Sequence, residues 1–236
     1  MISSRTALLL GDDALLRISS ARVLVAGLGG VGSYAAEALA RAGVGHLTII
    51  DSDIVNESNI NRQIHALTST VGRPKTVVMA ERMQQINPSI QIDAIQKLIT
   101  PENLSEFQIS SHVLVLDAID SFSAKLALIK QCVEHQVPVI SSMGAAARLD
   151  PGMVKTDDIS KSHGCRLARK LRKELRRTGI SSGVTVVYSD EQSMVERLGE
   201  AGDGNDSRRH LGSISYLPAI FGLFMSAEAI KRILDR

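Results

Sequence analysis

The apolar run Arg22-Val23-Leu24-Val25-Ala26 breaks into Gly27-Leu28-Gly29-Gly30-Val31-Gly32 and restarts as an alanine-rich helix from Val31 to Ala42. A strand that turns through this glycine spacing into a helix aims backbone N–H groups and a positive helix end at one point, where an anion can sit. A second apolar run, His46 to Ile50, delivers Asp51, with Asp53 two residues on. An acid at this distance suits hydrogen bonds to ribose hydroxyls. The stretch therefore predicts a nucleotide-binding strand–helix–strand unit. The same glycines serve NAD, FAD and ATP, so the choice among them rests on residues downstream.

The rest of the chain keeps the rhythm of that unit. An amphipathic helix over Ala7 to Ile18 precedes the first strand, with Arg5 just before it. Beyond Asp51, the polar stretch Ser52 to Thr70 holds Asn56, Asn59 and Asn61 and predicts irregular backbone. Pro74 opens a helix that Asn87-Pro88 ends. Strands follow at Ile90 to Ile95, His112 to Leu116 and Val137 to Ser141, with a helix from Phe122 to His135. This alternation predicts an α/β, Rossmann-like, doubly wound and mostly parallel sheet. After Gly144-Ala145-Ala146-Ala147 the pattern changes to strands at Met153 to Thr156 and Val184 to Ser189 around a basic helix, a C-terminal mixed extension. Glu200 to Arg209 reads as a mobile segment. The final helix is expected to pack through Ile220, Leu223, Phe224, Ala227, Ile230 and Leu234. We read residues 1–236 as one domain, with 1–150 the nucleotide-binding half and 151–236 the extension.

Composition removes several function classes. Three tyrosines, four phenylalanines and no tryptophan leave little for base-stacking platforms. Cys132 and Cys165 form no C-x-x-C pair, which argues against a disulfide framework or a cysteine-rich zinc site and suits a reducing cytoplasm. The apolar run Ile214 to Ile233 is broken by Pro218, Glu228, Lys231 and Arg232, so no membrane span is expected.

Past the ribose acid come Asn59, Arg62 and Lys75, then Asp117 and Asp120 at the end of a later strand. A dehydrogenase needs a nicotinamide site rather than added positive charge, whereas this set suits a triphosphate. In that role Arg62 and Lys75 neutralise departing pyrophosphate, Asn59 orients phosphate oxygens and Asp120 holds Mg²⁺. Each residue also has a plainer reading, as turn asparagine, solvated base or, for Asp120, helix N-cap.

Taken in order, Gly27 to Gly32, Asp51-Ser52-Asp53, Asn59-Ile60-Asn61-Arg62-Gln63, Gly72-Arg73-Pro74-Lys75 and Asp117-Ala118-Ile119-Asp120 resemble the motif series of the ubiquitin-activating-enzyme superfamily. Within it, Arg62-Gln63-Ile64-His65, the segment Gly144 to Pro151 and the basic helix resemble the tRNA threonylcarbamoyladenosine dehydratases. The resemblance implies ATP and Mg²⁺ as cofactors, and adenylation of the threonyl carboxylate on a modified adenosine beside the anticodon. Ring closure then expels AMP. It further implies that Gly27, Gly29, Gly30, Gly32, Asp51 and Asp53 bind nucleotide, that Asn59, Arg62 and Lys75 meet phosphates, and that Asp120 binds metal. Arg5 resembles an arginine lent by a sister subunit, which implies a homodimer. A monovalent cation beside the phosphates and a sulfur-transfer protein as partner remain open.

The basic helix gives this substrate a physical footing. Arg166, Arg169, Lys170, Arg172, Lys173, Arg176 and Arg177 are opposed only by Glu174, while Leu167, Leu171 and Leu175 keep an apolar stripe. Its outward face is expected to bind tRNA phosphates. The alternative is an adenylyltransferase that activates the C-terminus of a small ubiquitin-like sulfur carrier, against which the missing zinc cysteines count. Some relatives also carry a cysteine in the region of Leu211 to Pro218, and this chain has none there.

Overall fold

The computed structural model describes residues 4–194 and 211–235. Seven strands form one sheet in the order β3-β2-β1-β4-β5-β7-β6. They are β1 (Arg22–Ala26), β2 (His46–Ile50), β3 (Gln91–Ile95), β4 (Leu114–Asp117), β5 (Val139–Ser142), β6 (Val154–Asp158) and β7 (Thr185–Ser189). All neighbours run parallel except β6, which pairs antiparallel with β7 at one edge. The mixed extension thus continues the same sheet.

Helices α1 (Ser4–Leu10), α2 (Asp12–Ser20), α3 (Gly32–Ala42), α4 (Lys75–Ile86), α5 (Phe122–Glu134), α6 (Arg166–Arg177) and α7 (Tyr216–Leu234) divide between the two faces. α2, α3, α4 and α7 share one core with Val23, Val25, Leu47 and Ile49; α5 and α6 share the other with Leu24, Ala26, Val115 and Val186. Alternate residues of each central strand feed opposite cores, as a sheet covered on both sides requires.

Two expectations need correction. The single N-terminal helix is two, because Gly11 takes a left-handed φ of 83° that breaks the helical run. The face of the last helix is rotated: Leu217, Phe221, Met225, Ala229 and Ile233 are buried, while Leu223 and Phe224 are exposed. Small residues decide this. Gly222 lies so close to α3 that a Cβ there would stand 2.4 Å from the Val31 carbonyl oxygen, so α7 presents Pro218, Gly222 and Ser226 as well as its large side chains. The stretch Glu200 to Arg209 lies outside the described residues.

Candidate functional site

Strand order reverses between β1 and β4, and their carboxyl ends open a crevice where an open α/β sheet takes its ligands. Gly27 leaves β1 at φ 89°, with no room for a side chain: a Cβ would stand 2.8 Å from the carbonyl oxygen of Ala118, which follows β4. At Gly32, the first residue of α3, a Cβ would lie 1.8 Å from the Gly27 carbonyl oxygen. These two glycines allow the turn itself. Gly29 differs, since a Cβ there would meet nothing within 4 Å. The protein's own packing makes no demand for glycine at that point, whereas close approach of a phosphate to the loop does. Gly30 is walled by Pro218 of α7 and by Arg62, whose Cγ would lie 3.3 Å from a Cβ.

Asp51 is fixed beside the loop. Its carboxylate accepts the Leu28 N–H at 2.6 Å and the Asp53 N–H at 2.8 Å. Lys75, at the start of α4, is buried and donates to Asp53 at 2.8 Å, with Asp51 at 3.9 Å. The Lys75 N–H also donates to the Asp53 carbonyl at 3.0 Å, and Ile54 bridges Pro74, so the 51–55 and 73–75 segments hold each other. Behind Lys75, His65 is buried and neither ring nitrogen has a hydrogen-bond partner. Burial, reinforced by the charges of Lys75 and Arg82, pushes its pKa down to about 4. The neighbouring Gln63 Oε1 is likewise buried without a partner.

Arg62 lies over Gly30 and donates to the Ser58 carbonyl at 2.8 Å and Asn61 Oδ1 at 2.9 Å. Asn59 accepts the Asn56 N–H at 3.1 Å, so its oxygen holds the turn. Asp120 is exposed, and its carboxylate has no hydrogen bond or ion pair among the described residues. The N-cap position of α5 belongs to Ser121, so the capping role considered for Asp120 does not apply. Three residues earlier, Asp117 is sealed in by Lys125 at 2.7 Å, Ser141 at 2.5 Å and the Ile119 N–H at 3.1 Å. Lys125 escaped the sequence reading because nothing in its neighbourhood marks a lysine as an interior residue.

Not every candidate joins this cluster. Arg5 is exposed on α1, and no hydrogen bond or ion pair links it to the described residues of the site. On α6, Ala168, Leu171 and Leu175 are buried, and most of the cations face solvent. Arg172 is the exception to the outward strip. Its guanidinium donates to the carbonyls of Ile159 at 3.2 Å and Ser162 at 2.6 Å, which makes it a brace for the preceding loop. Arg177 pairs with Glu174 at 2.7 Å. Cys132 is fully buried and its thiol is pushed up to about 12 by burial and by Asp117, while Cys165 is also buried. Among the described residues no three acids, histidines or cysteines cluster as a metal centre, so a cation at Asp120 would need oxygens from a ligand.

Comparison with known proteins gives the family of the chain. The chain is 40% identical to the tRNA threonylcarbamoyladenosine dehydratase of Bacillus subtilis, over 98% of this chain and 94% of the relative. The crystal structure of the Escherichia coli tRNA N6-threonylcarbamoyladenosine dehydratase superposes with a TM-score of 0.88 at 36% identity, covering 99% of this chain and 94% of that one. The same enzyme crystallised with ATP gives 0.87 at 36% identity, covering 98% and 93%. The ThiF family profile matches residues 3–236. With its glycine loop, Asp51 and the Lys75–Asp53 pair assembled at the switch of strand order, the chain belongs to the ThiF family.

Proposed function

We propose that the protein uses ATP to dehydrate threonylcarbamoyladenosine in tRNA, closing its side chain into a ring. The observation that carries this reading is the loop at Gly29, open to a ligand, beside Asp51 and the Lys75–Asp53 pair. Loop N–H groups and the start of α3 receive phosphate oxygens, and Asp51 meets the ribose. Lys75 is buried while Asp53 is 64% exposed, so the pair is open on the side from which a phosphate arrives.

In the reaction, a carboxylate oxygen of the threonyl group attacks the α-phosphorus and the bond to pyrophosphate breaks. Lys75 and Arg62 stabilise the charge that moves onto the leaving group. The nucleoside's own carbamoyl group then attacks the acyl carbon and AMP departs. Loss of water from the nucleoside balances conversion of ATP to AMP and pyrophosphate. Asp120 is the residue that would hold Mg²⁺, which would supply further charge neutralisation there.

The remaining assignments follow from this reading. Arg166, Arg169, Lys170, Lys173, Arg176 and Arg177 attract tRNA phosphates, with Arg172 supporting the loop before them. Leu8 and Leu9, each 81% exposed, and Leu16 form an apolar face on α1 and α2 that suits a second copy and brings Arg5 to the partner's site. Residues 1–236 act as one unit, and a tRNA substrate calls for the cytoplasm; no described helix is long and apolar enough to cross a membrane. A monovalent cation and a sulfur-transfer partner are compatible additions with no residue that argues for either.

The test is incubation with ATP, Mg²⁺ and tRNA carrying or lacking the threonylcarbamoyl group. AMP and a nucleoside lighter by one water are expected only with the modified tRNA. AMP formed equally with both would overturn the substrate assignment. Arg5→Ala mixed with Asp120→Ala should regain activity that each lacks alone if Arg5 works across a dimer.

A further inference from the structure

The charge on α6 is not equivalent along its length. Gly164, just before the helix, packs against Asp190, which follows the last residue of β7; a Cβ on Gly164 would lie 2.2 Å from Asp190 Oδ1. The far end of α6 leads through Ile180 and Val184 into the first residue of β7. Because β7 runs parallel with β5, β4 and β1, the first turn of α6 stands on the same sheet edge as the glycine loop. Its last turn stands on the opposite edge, roughly 18 Å away for twelve helical residues. Two strand spacings, about 10 Å, separate β7 from β4. Lys170 closes part of that gap: its ammonium lies 4.2 Å from the ring centre of Phe122, the first residue of α5 and two residues from Asp120.

Beside that first turn lies a cavity of about 500 Å³ lined by Ser162, His163, Arg166, Arg169, Arg172 and Gln192. Arg172 is locked into its wall by Ser162 and Ile159. The nearby carboxylate of Asp190 is already matched by Lys155 at 2.8 Å and His163 at 2.9 Å. Cys165 occupies the N-cap, and its side chain makes no hydrogen bond to the first turn. Arg169 on the rim and Arg172 in the wall of a hollow of nucleotide size suit an oxyanion such as a phosphodiester better than an apolar group.

We propose that this cavity seats a phosphodiester adjoining the reacting adenosine, so that the first half of α6 positions the substrate while the far half supplies only general attraction. This inference rests on the tRNA reading above. It distinguishes Arg169, which lines the cavity, from Arg176, nearly two helical turns further along α6 and outside the lining.

The experiment pairs protein and substrate changes. An anticodon stem–loop carrying threonylcarbamoyladenosine is prepared with the two flanking phosphodiesters intact or as neutral methylphosphonates, and AMP release is followed with wild-type protein, Arg169→Gln and Arg176→Gln. Neutralising the phosphodiesters should raise the wild-type KM roughly five- to tenfold, and Arg169→Gln should raise KM for the intact substrate by a similar factor. Together they should add nothing further, with kcat nearly constant. For Arg176→Gln the two effects should multiply. A wild-type KM indifferent to neutralisation, or effects that multiply for Arg169→Gln as they do for Arg176→Gln, would overturn the assignment. Absence of AMP from wild-type protein with the intact stem–loop and with modified tRNA would instead overturn the underlying tRNA reading.

Discussion

Of the lysine–aspartate pairs at the carboxyl edge of the sheet, the one past β2 and the one at the end of β4 differ in burial, and that separates their duties. Lys125 and Asp117 are 1% and 0% exposed, and Ser141, the Ser142 carbonyl and the Ile119 N–H complete their hydrogen bonding. Such a pair has no valence left for a ligand; it fixes where β4 ends and where Asp120 emerges. Lys75 is equally buried, yet its partner Asp53 is 64% exposed. A phosphate can replace Asp53 without leaving a charge stranded. Closure of both partners marks a frame, and closure of one marks a contact that can be exchanged.

Breaking the sealed pair should have the largest effect on stability. Lys125→Ala leaves Asp117 in the interior without its counter-charge, at a cost of about 3–5 kcal/mol, read from urea unfolding. A loss below about 1 kcal/mol would put Lys125 in the same class as Lys75. The next effect belongs to His65, behind the open pair. Its folded pKa of about 4 lies below the ordinary 6.5, so the unfolded chain binds the extra proton as pH falls through that interval. Stability should fall by about 2 kcal/mol between pH 7 and pH 5 from this group. Urea titrations of His65→Gln at the two pH values should show that part of the slope removed. The lowered carboxylates Glu37, Asp93 and Asp158 act only below their own ordinary values and stay outside that window.

Lys75→Ala should cost about 1 kcal/mol of stability, because Asp53 simply turns to water, while AMP formation drops about 10²- to 10³-fold. Asp120→Ala should be smallest on the unfolding scale, within about 0.5 kcal/mol, and still lose turnover. Full activity of Asp120→Ala on modified tRNA would remove the metal role. If Lys75→Ala and Lys125→Ala lost stability equally, the distinction between open and sealed pairs would fail.

Much of this arrangement was legible before any coordinates. The strands of the parallel sheet announce themselves as short apolar runs between helices, and the glycine turn with Asp51 needs only local chain geometry. Arg62 and Lys75 stand out in the sequence as positive charge that follows Asp51, Lys75 at the start of the helix that Pro74 opens. What escaped depends on contacts made at a distance in sequence. The face of α7 was misjudged because counting large apolar side chains overlooks Gly222, whose lack of a side chain is what lets the helix meet α3. Arg172 looked like its solvated neighbours, since the carbonyls it braces belong to a loop folded back from Ile159 and Ser162. Lys125 sits in a helix whose sequence reads as an ordinary amphipathic one.

The wall behind the glycine loop comes from the other end of the chain. Pro218 backs Gly30, Gly222 backs the Val31 carbonyl, and Asn61 donates to the Ser213 carbonyl at 3.0 Å. A growing polypeptide therefore carries a finished glycine motif for most of its synthesis without a finished binding site. Nucleotide affinity should arise late and abruptly, when α7 leaves the ribosome and docks, so a product truncated before residue 213 should not hold ATP.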